Sequence, residues 1–224
     1  MAGQGDGRMD TARPGILVMG AGGHGKAVLD LLMAGGAWRI AGVVDDAPRL
    51  AEVLGVPVLG NDAAFAGLRA AGVAAAHPAI GHNAQRIAAA ARLLAAGFAL
   101  PALVHPAAIL GRGATLGEGA AVLARAVIGP EARIGRLALV NTGAIVEHDC
   151  DLGEGAHVAP GAVLAGGVRI GAGAMVGAGA VIRPGVVVGA GAIIGAGAAV
   201  LADVPPGATF AGVPAQNLHP ETSP

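Results

Sequence analysis

A large aliphatic residue recurs at every sixth position through most of the C-terminal half of the chain. Stepping by six from Val104 to Val200 meets only Val, Leu or Ile, at 17 consecutive positions. Four residues after each of these, the side chain is small: Ala at 13 positions, Val at three and Cys at one. Chance does not produce this pattern, and a fixed short period of this kind is typical of a stacked repeat.

One aliphatic and one small residue in every six fit short flat strands that are separated by tight turns. Three such strands make one triangular coil of about 18 residues, with the aliphatic side chain inside, the small one under the bend and Gly in the turn. At an interstrand spacing of ~4.8 Å the run makes about 5.7 coils and a prism roughly 27 Å tall. We therefore predict a parallel β-helix over residues 104–205.

The segment before the repeat, residues 15–103, alternates apolar strands with stretches of helical spacing. The predicted strands are 16–19 and 40–44, and the predicted helices are 26–33, 62–71 and 83–96, the last with Asn83 as a candidate cap. This alternation favours a small parallel sheet, about half of a dinucleotide-binding fold. The predicted fold class is a small α/β Rossmann-like N-terminal domain followed by the β-helix.

The two ends of the chain fit neither pattern. Residues 1–14 lack the apolar stretch of a secretory signal and are expected to be a disordered leader, with Met9 as a second candidate start. Residues 206–224 are expected to be a C-terminal loop followed by a free tail.

Composition narrows the classes of partner. A net charge of −1 and only four aromatic residues, without basic clusters, argue against a nucleic-acid partner. Charged residues and Pro interrupt every apolar stretch, so no membrane partner is expected. The single Cys excludes an intrachain disulfide, and the expected location is the cytoplasm.

The repeat departs from its own pattern in residues 140–151. Asn141 and Glu147 stand where Gly is usual, and His148 follows between Glu147 and Asp149. Acyl transfer from a thioester needs a base near neutral pH, which imidazole supplies, and a neighbouring carboxylate raises its basicity. We predict His148 as general base and Asp149 as its partner, with Glu147 as the competing partner. The alternative is that all of them are ordinary turn residues.

The stacking of coils adds further candidates. Gly166 lies one coil after His148, where a missing side chain would leave room for a ligand. His157 lies half a coil from His148, so the two histidines would meet best across a subunit boundary, which favours a closed homotrimer with sites between subunits. Cys150 occupies a small-residue position and is expected to be structural. No third His lies near these two in the repeat, so no metal is expected.

Residues 20–25 match the G-x-G-x-x-G pattern between a predicted strand and a predicted helix, and Asp45 follows twenty residues later. Backbone amides at the start of a helix favour phosphate, and Asp45 could accept hydrogen bonds from a ribose or a base. The pattern predicts nucleotide binding, although half a sheet makes a full dinucleotide a poor fit. The alternative is a tight turn that serves packing.

These motifs together resemble the hexapeptide-repeat sugar O-/N-acyltransferases, in the group of sialic-acid O-acetyltransferases and bacillosamine-type nucleotide-amino-sugar N-acetyltransferases. The resemblance covers about residues 16–218. It is carried by the segments 20–24, 43–46, 141–142, 147–150, 156–158 and 212–215. It implies a left-handed β-helix with acetyl-CoA as co-substrate. Asp149 departs from the family, whose best-known members carry Glu there, and Gly22 stands where some carry Ser.

The resemblance also implies roles for individual residues. His148 would be the base, and Asp149 would raise its basicity. His157 would contact acetyl-CoA, whose pantetheine arm would pass near Ala178 and Ala196. Gly166 is assigned to the same ligand from the stacking of coils alone, with an ordinary turn glycine as the alternative. The residues expected to contact the nucleotide sugar are Gly22, Gly23, His24, Asp45, Asp46, Gly81, Asn141 and Glu147.

The expected function is acetyl transfer from acetyl-CoA to the amino group of a UDP- or GDP-linked 4-amino-deoxysugar. The amine would attack the thioester directly, without a covalent enzyme intermediate. The alternative enzyme is an O-acetyltransferase acting on sialic acid or a related sugar. Outside this class, the alternatives are a non-catalytic β-helix scaffold and, as a minor option, a zinc hydratase.

Overall fold

An apolar strand forms the centre of the N-terminal sheet. In the computed structural model, which describes residues 13–219, all five residues of β1 (Gly15–Met19) are buried. β1 pairs in parallel with β2 (Arg39–Val44) on one side and with β5 (Ala75–Pro78) on the other. A strand that is apolar throughout and buried on both faces is typical of the middle of a parallel sheet.

Three helices and one short hairpin complete the α/β domain. They are α1 (Gly23–Gly35), the hairpin of β3 (Glu52–Val53) and β4 (Val56–Pro57), α2 (Phe65–Ala70) after a 3-10 turn at Asp62–Ala64, and α3 (Asn83–Ala95). The hairpin and β5 were not predicted. The cap of α3 is also corrected: His82 accepts from the Gln85 amide, whereas Asn83 donates to the carbonyls of Gly173 and Ala174 in the β-helix.

The repeat folds into a three-sided β-helix. Face I holds β6 (Leu103–Val104), β9 (Ala121–Val122), β12 (Leu139–Val140), β15 (His157–Val158), β18 (Met175–Val176) and β21 (Ile193–Ile194). Face II holds β7 (Ile109–Leu110), β10 (Val127–Ile128), β13 (Ile145–Val146), β16 (Val163–Leu164), β19 (Val181–Ile182) and β22 (Ala199–Val200). Face III holds β8 (Thr115–Leu116), β11 (Arg133–Ile134), β14 (Asp151–Leu152), β17 (Arg169–Ile170) and β20 (Val187–Val188).

The register of the faces confirms the predicted fold class. Every parallel pair among the strands from β6 to β22 joins residues 18 positions apart, as in Ile128 with Val146. The second residue of each strand points inward, and from Val122 to Val200 all of these aliphatic side chains are buried. The first coil is less closed, since Leu110 remains 44% exposed. Stacked aliphatic side chains inside the prism therefore form the core that the period predicts.

The C-terminal segment differs from the predicted loop and tail. β23 (Thr209–Ala211) extends face I beyond β21, and β24 (Gln216–Asn217) pairs with β23 in the antiparallel direction. The pairing supplies hydrogen-bond partners to the edge strand of the last coil, which would otherwise be open. The predicted leader lies outside the described residues apart from positions 13 and 14, as does the predicted tail from position 220.

The α/β domain packs on the outer side of face I. Leu103, Ala121 and Leu139 are the outward residues of its first three strands, and all are buried in one cluster with Val28 and Leu32 of α1. His157, the outward residue of the fourth strand, is also buried, whereas Met175 and Ile193 beyond it are 38% and 48% exposed. The domain thus covers the lower part of face I and leaves the upper part uncovered.

No helix between residues 13 and 219 has the length and apolar character needed to cross a membrane.

Candidate active site

A cleft of about 430 Å³ opens at the carboxyl end of the N-terminal sheet. The ends of parallel strands meet there, which is where open α/β sheets bind nucleotides. The polar and glycine residues that line it are Gly20, Gly22, Gly23, His24, Asp45, Asp46, Gly81, Gln85 and Arg92. Six of the eight residues predicted to contact the nucleotide sugar therefore share this cleft. The other two, Asn141 and Glu147, lie on the β-helix.

Asp45 ties the glycine-rich turn to the end of β2. Its Oδ2 accepts from the Ala21 amide at 2.7 Å, and its Oδ1 accepts from the Ala47 amide at 2.9 Å. The carboxylate predicted to contact a ribose or base therefore also holds the turn in shape. Each oxygen keeps a second lone pair for a ligand.

Arg92 is a cleft residue that the sequence analysis missed. Its Nη1 and Nη2 bind the two oxygens of Asp46 at 2.8 and 2.6 Å, and its Nε donates to Asp62 at 2.7 Å. The hydrogen bonds from Arg92 lower the pKa of Asp46, so this carboxylate stays ionised. A signal was present in the sequence: Gln85 and Arg92 are seven residues apart on an Ala-rich helix, which places them on one face.

His148 lies at the corner between faces II and III and is paired with Asp149. The His148 Nδ1 is 2.8 Å from the Asp149 Oδ2, and the imidazole is 60% exposed. A carboxylate only accepts hydrogen bonds, so Nδ1 carries the proton and Nε2 presents its lone pair. The hydrogen bond to Asp149 raises the pKa of His148. Glu147, the competing partner, accepts from the His148 backbone amide instead of the ring.

Gly166 lies directly against the His148 ring. A Cβ added at Gly166 would be 2.5 Å from both Cε1 and Nε2 of the imidazole. The room that we expected for a ligand is therefore taken by the imidazole itself. Gly166 is needed because a larger side chain would not fit. Its φ is outside the left-handed region, so its backbone conformation does not itself require glycine.

The substitution Gly166→Ala is expected to lower kcat on the order of 10- to 100-fold, because the new methyl group displaces the imidazole by about 1 Å or more. Steady-state kinetics of the folded variant measures this. Gly67→Ala is the matched control, since a Cβ there meets nothing within 4 Å. Wild-type kcat in Gly166→Ala would show that the position of the ring does not matter.

His157 and Asn141 form a second polar group, at the edge of face I. The Asn141 Nδ2 is 3.2 Å from the His157 Nε2, and His157 is only 7% exposed. Burial, and then the charge of Arg86, lower the pKa of His157 to about 4, so its ring is neutral. Ala178 and Ala196 are exposed and stack at the same corner as Asn141, with the Gly197 amide bonded to the Ala178 carbonyl at 2.8 Å.

One chain keeps His148 and Gly166 apart from the other predicted site residues. The α/β domain covers face I, whereas His148 and Gly166 lie at the corner between faces II and III, on the opposite side of the prism. Ala178 and Ala196 lie at the corner between faces I and II, so face II separates them from His148. The lining of the cleft includes no residue of the β-helix. His157 lies beside Gly81 and close to His24, so the group at the edge of face I adjoins the cleft. Of the three groups, His148 with Gly166 is the one that a single subunit does not bring to the others.

Cys150 is buried, and its Sγ donates to the Ala165 carbonyl at 3.2 Å. Burial raises the pKa of the thiol, which therefore stays protonated. This environment suits the structural role expected for it. Between residues 13 and 219, no group of three or more His, Cys, Asp or Glu side chains is arranged to hold a metal ion.

Two family models match the chain: the PglD N-terminal domain at residues 15–93, and the bacterial transferase hexapeptide (six repeats) at residues 167–202. The structure is also similar to that of perosamine N-acetyltransferase from Caulobacter crescentus, solved with CoA and GDP-perosamine. The two are 43% identical with a TM-score of 0.87, over 91% of this chain and 96% of that one. Two of the structures of that enzyme carry Asn or Ala in place of one histidine.

The acetyltransferase domain of PglB from Neisseria gonorrhoeae, solved with acetyl coenzyme A, is 38% identical. It matches with a TM-score of 0.86 over 92% of this chain and 100% of that one. WeeI from Acinetobacter baumannii is 26% identical over 91% of this chain and 99% of that one, with a TM-score of 0.70. Comparison with curated protein sequences gives no significant match. On its two matching family models and its similarity to relatives along nearly their whole length, the chain belongs to the PglD-type hexapeptide-repeat acetyltransferases.

Proposed function

We propose that this protein transfers the acetyl group of acetyl-CoA to the amino group of a nucleotide-linked 4-amino-deoxysugar, with GDP as the carrier. The observation that carries the proposal is the 43% identity to an N-acetyltransferase solved with CoA and GDP-perosamine. The imidazole–carboxylate pair and the nucleotide-sized cleft supply the groups that such a reaction needs.

The start of α1 is suited to the diphosphate of the carrier. The helix begins at Gly23, and within the described residues no side chain caps its N-terminus at Gly22. The first amide groups of a helix have no partner within it and carry a partial positive charge, which favours phosphate. Asp45, Asp46 and Gln85 then offer hydrogen-bonding groups to the ribose and base. On this proposal the sugar extends from the cleft towards acetyl-CoA.

The chemistry assigned to His148 is general-base catalysis. The amine nitrogen attacks the thioester carbonyl, the N–C bond forms, and Nε2 of His148 takes the proton that the nitrogen loses. Asp149 stabilises the resulting imidazolium. The C–S bond then breaks, and the proton on His148 neutralises the departing CoA thiolate. His157, with Ala178 and Ala196, is proposed to contact acetyl-CoA. Asn141 and Glu147 are proposed to contact the nucleotide sugar.

The substitution Asp149→Asn is expected to move the acid limb of the kcat/KM profile to lower pH. His148 must be neutral to accept a proton, so activity falls as pH drops through its pKa. Asp149 raises that pKa, and its neutral replacement lets it return towards the ordinary value. The plateau rate should also fall, because a weaker base accepts the proton less readily. An unchanged pH profile would contradict the pairing.

We propose a closed homotrimer in which His148 of one subunit meets the cleft and the His157 group of its neighbour. The outward side chains of face II are all apolar: Ile109, Val127, Ile145, Val163, Val181 and Ala199, with Ile109 61% exposed. Face III, by contrast, presents Arg133, Asp151 and Arg169. Face II runs along the His148 corner, so a second copy packed on it would reach His148. One interface of this kind, repeated around an axis, closes a ring.

An acceptor panel tests the proposed function. Release of CoA thiol from acetyl-CoA is measured with GDP- and UDP-linked 4-amino-deoxysugars and with free sialic acid. Release is expected with the GDP-linked amine. Release with sialic acid alone would indicate O-acetylation, and none with any acceptor would overturn the proposal.

Analytical ultracentrifugation tests the trimer separately. The expected mass is about three times that of the 21.4 kDa chain. A fully active monomer would contradict the shared site, because one chain keeps His148 apart from the cleft and from His157.

A further inference from the structure

A buried arginine joins the cleft to the β-helix. Arg86, in the first turn of α3, is 1% exposed. Its Nη1 donates to the carbonyls of Ile80 and Gly81, both at 3.1 Å. Its Nε donates to the Leu137 carbonyl at 2.9 Å, and its Nη2 donates to the Gly155 carbonyl at 2.9 Å. One guanidinium therefore binds two parts of the protein at once.

The acceptors of Arg86 lie on opposite sides of the junction. Ile80 and Gly81 line the cleft, in the loop between β5 and α3. Leu137 and Gly155 are 18 residues apart and stack in successive coils, at the corner between faces III and I. Because the guanidinium is planar and rigid, these bonds fix the rim of the cleft relative to two coils of the β-helix.

Asn83 extends this junction by one more coil. Its Oδ1 accepts from the Arg86 Nη2 at 3.0 Å, while its Nδ2 donates to the Gly173 carbonyl at 2.9 Å. Gly173 follows Gly155 by 18 residues in the same column of the corner. The start of α3 is therefore held along three successive coils.

Burying the charge of Arg86 at the domain junction has a high desolvation free energy. All five of its partners in the described chain are uncharged carbonyl or amide oxygens, so no carboxylate compensates the buried charge. Burial lowers its pKa only to about 10, and it remains a cation at neutral pH. Apolar contacts would join two domains at a lower desolvation cost. The geometry that the guanidinium imposes is therefore its distinctive contribution.

We propose that Arg86 is a positioning residue for the acetyl transfer, which sets the Ile80–Gly81 rim of the nucleotide-sugar cleft at a fixed place relative to the β-helix. This inference rests on the proposed function. On that function the loop contacts the substrate, whereas Arg86 does not line the cleft, so Arg86 acts through the loop. Loss of the correct donor geometry should weaken nucleotide-sugar binding while acetyl-CoA binding is kept.

The substitution Arg86→Lys keeps the charge but offers donors from a single point, which cannot reach acceptors on both sides of the junction. We expect the KM for the nucleotide sugar to rise on the order of tenfold or more, with the KM for acetyl-CoA within about twofold of wild type. Partial unfolding would instead lower kcat and leave both KM values unchanged. The split between the two KM values therefore separates positioning from stability.

Arg69→Lys is the matched control. Arg69 also donates to a backbone carbonyl, that of Val73 at 3.0 Å, and its guanidinium lies over the Phe98 ring, away from the cleft. Its replacement should leave the KM for the nucleotide sugar unchanged. A milder second variant, Asn83→Ala, removes only the link to the third coil and one acceptor of Arg86. It should raise the same KM by a smaller factor, and it decides the matter if Arg86→Lys does not fold.

A wild-type KM for the nucleotide sugar in folded Arg86→Lys would overturn the positioning role. If Arg86→Lys does not fold, a wild-type KM for the nucleotide sugar in Asn83→Ala would overturn it instead. An equal rise in both KM values would also overturn it. These results differ from failure of the proposed function, in which the wild-type protein itself would release no thiol with any nucleotide sugar.

Discussion

Replacing His148 by alanine is expected to lower kcat by roughly 10²- to 10⁴-fold, the usual contribution of a general base. The variant loses the only proton acceptor that the proposed mechanism places beside the amine. The KM for the nucleotide sugar should change little, because the cleft residues lie on the α/β domain, away from His148. Steady-state kinetics with acetyl-CoA and a GDP-linked amino sugar measures both quantities.

His105→Ala is the control for this experiment. His105 also lies at a turn of the β-helix, where its Nδ1 accepts from the Ala107 amide at 3.0 Å, but it is outside all three groups of the candidate site. Its removal should leave kcat near wild type. Near-wild-type turnover in His148→Ala would remove general-base catalysis by this residue from the mechanism.

Acidification from pH 7 to pH 5 is expected to lower the free energy of unfolding by several kcal/mol. Three histidines at or near the junction of the two domains have pKa values below the ordinary 6.5: His77 at about 3, and His24 and His157 at about 4. Burial is the largest cause in each case, and the charge of Arg86 adds to it. Burial and the nearby positive charge therefore both oppose protonation of these three rings, which are neutral in the folded protein at pH 7.

The direction of this effect follows from proton uptake. Below pH 6.5 the unfolded chain binds protons that the folded protein takes up only near pH 4, so stability is complete above pH 6.5 and is lost as pH falls towards 4. His148, with a raised pKa, acts in the opposite direction, but most of its ring is exposed and solvent screens the effect. Denaturant unfolding at pH 7 and pH 5 measures the change. A stability that is independent of pH over this window would contradict the buried neutral state.

His77→Gln is the variant that isolates this contribution. His77 is fully buried in β5, so its replacement by a group that does not titrate should flatten the dependence on pH. The variant is expected to be less stable than wild type at pH 7. The comparison is therefore between the changes in the free energy of unfolding from pH 7 to pH 5.

The parts of the fold that the sequence predicts well are those with strong local periods. The β-helix follows from side chains six residues apart, because each coil repeats the same choice of inward and small residues. The glycine-rich turn follows from its place between a buried strand and a helix. The cap of α3 was predicted wrongly because the Asn83 side chain donates to the carbonyl of Gly173, a contact between residues 90 positions apart that the local sequence does not reveal.

The candidate site divides in the same way. His148 and Asp149 are adjacent in sequence, so their pairing was predictable from two residues. Arg92 was not, because its partner Asp46 lies 46 residues away and only the folded sheet brings the two together. Gly166 was found by counting one coil, but the sequence did not show that the ring of His148 fills the space above it.

By itself the sequence determined the architecture, the glycine-rich turn and the pairing of His148 with Asp149, because each is encoded in residues that are close together or separated by a constant interval. Only the tertiary structure decided which residues line the cleft, that His157 is buried and neutral, and that Arg86 joins the cleft to the β-helix. These properties depend on where the α/β domain packs along face I. The periodic pattern of the sequence does not predict that packing, because it arises from contacts between segments far apart in the chain.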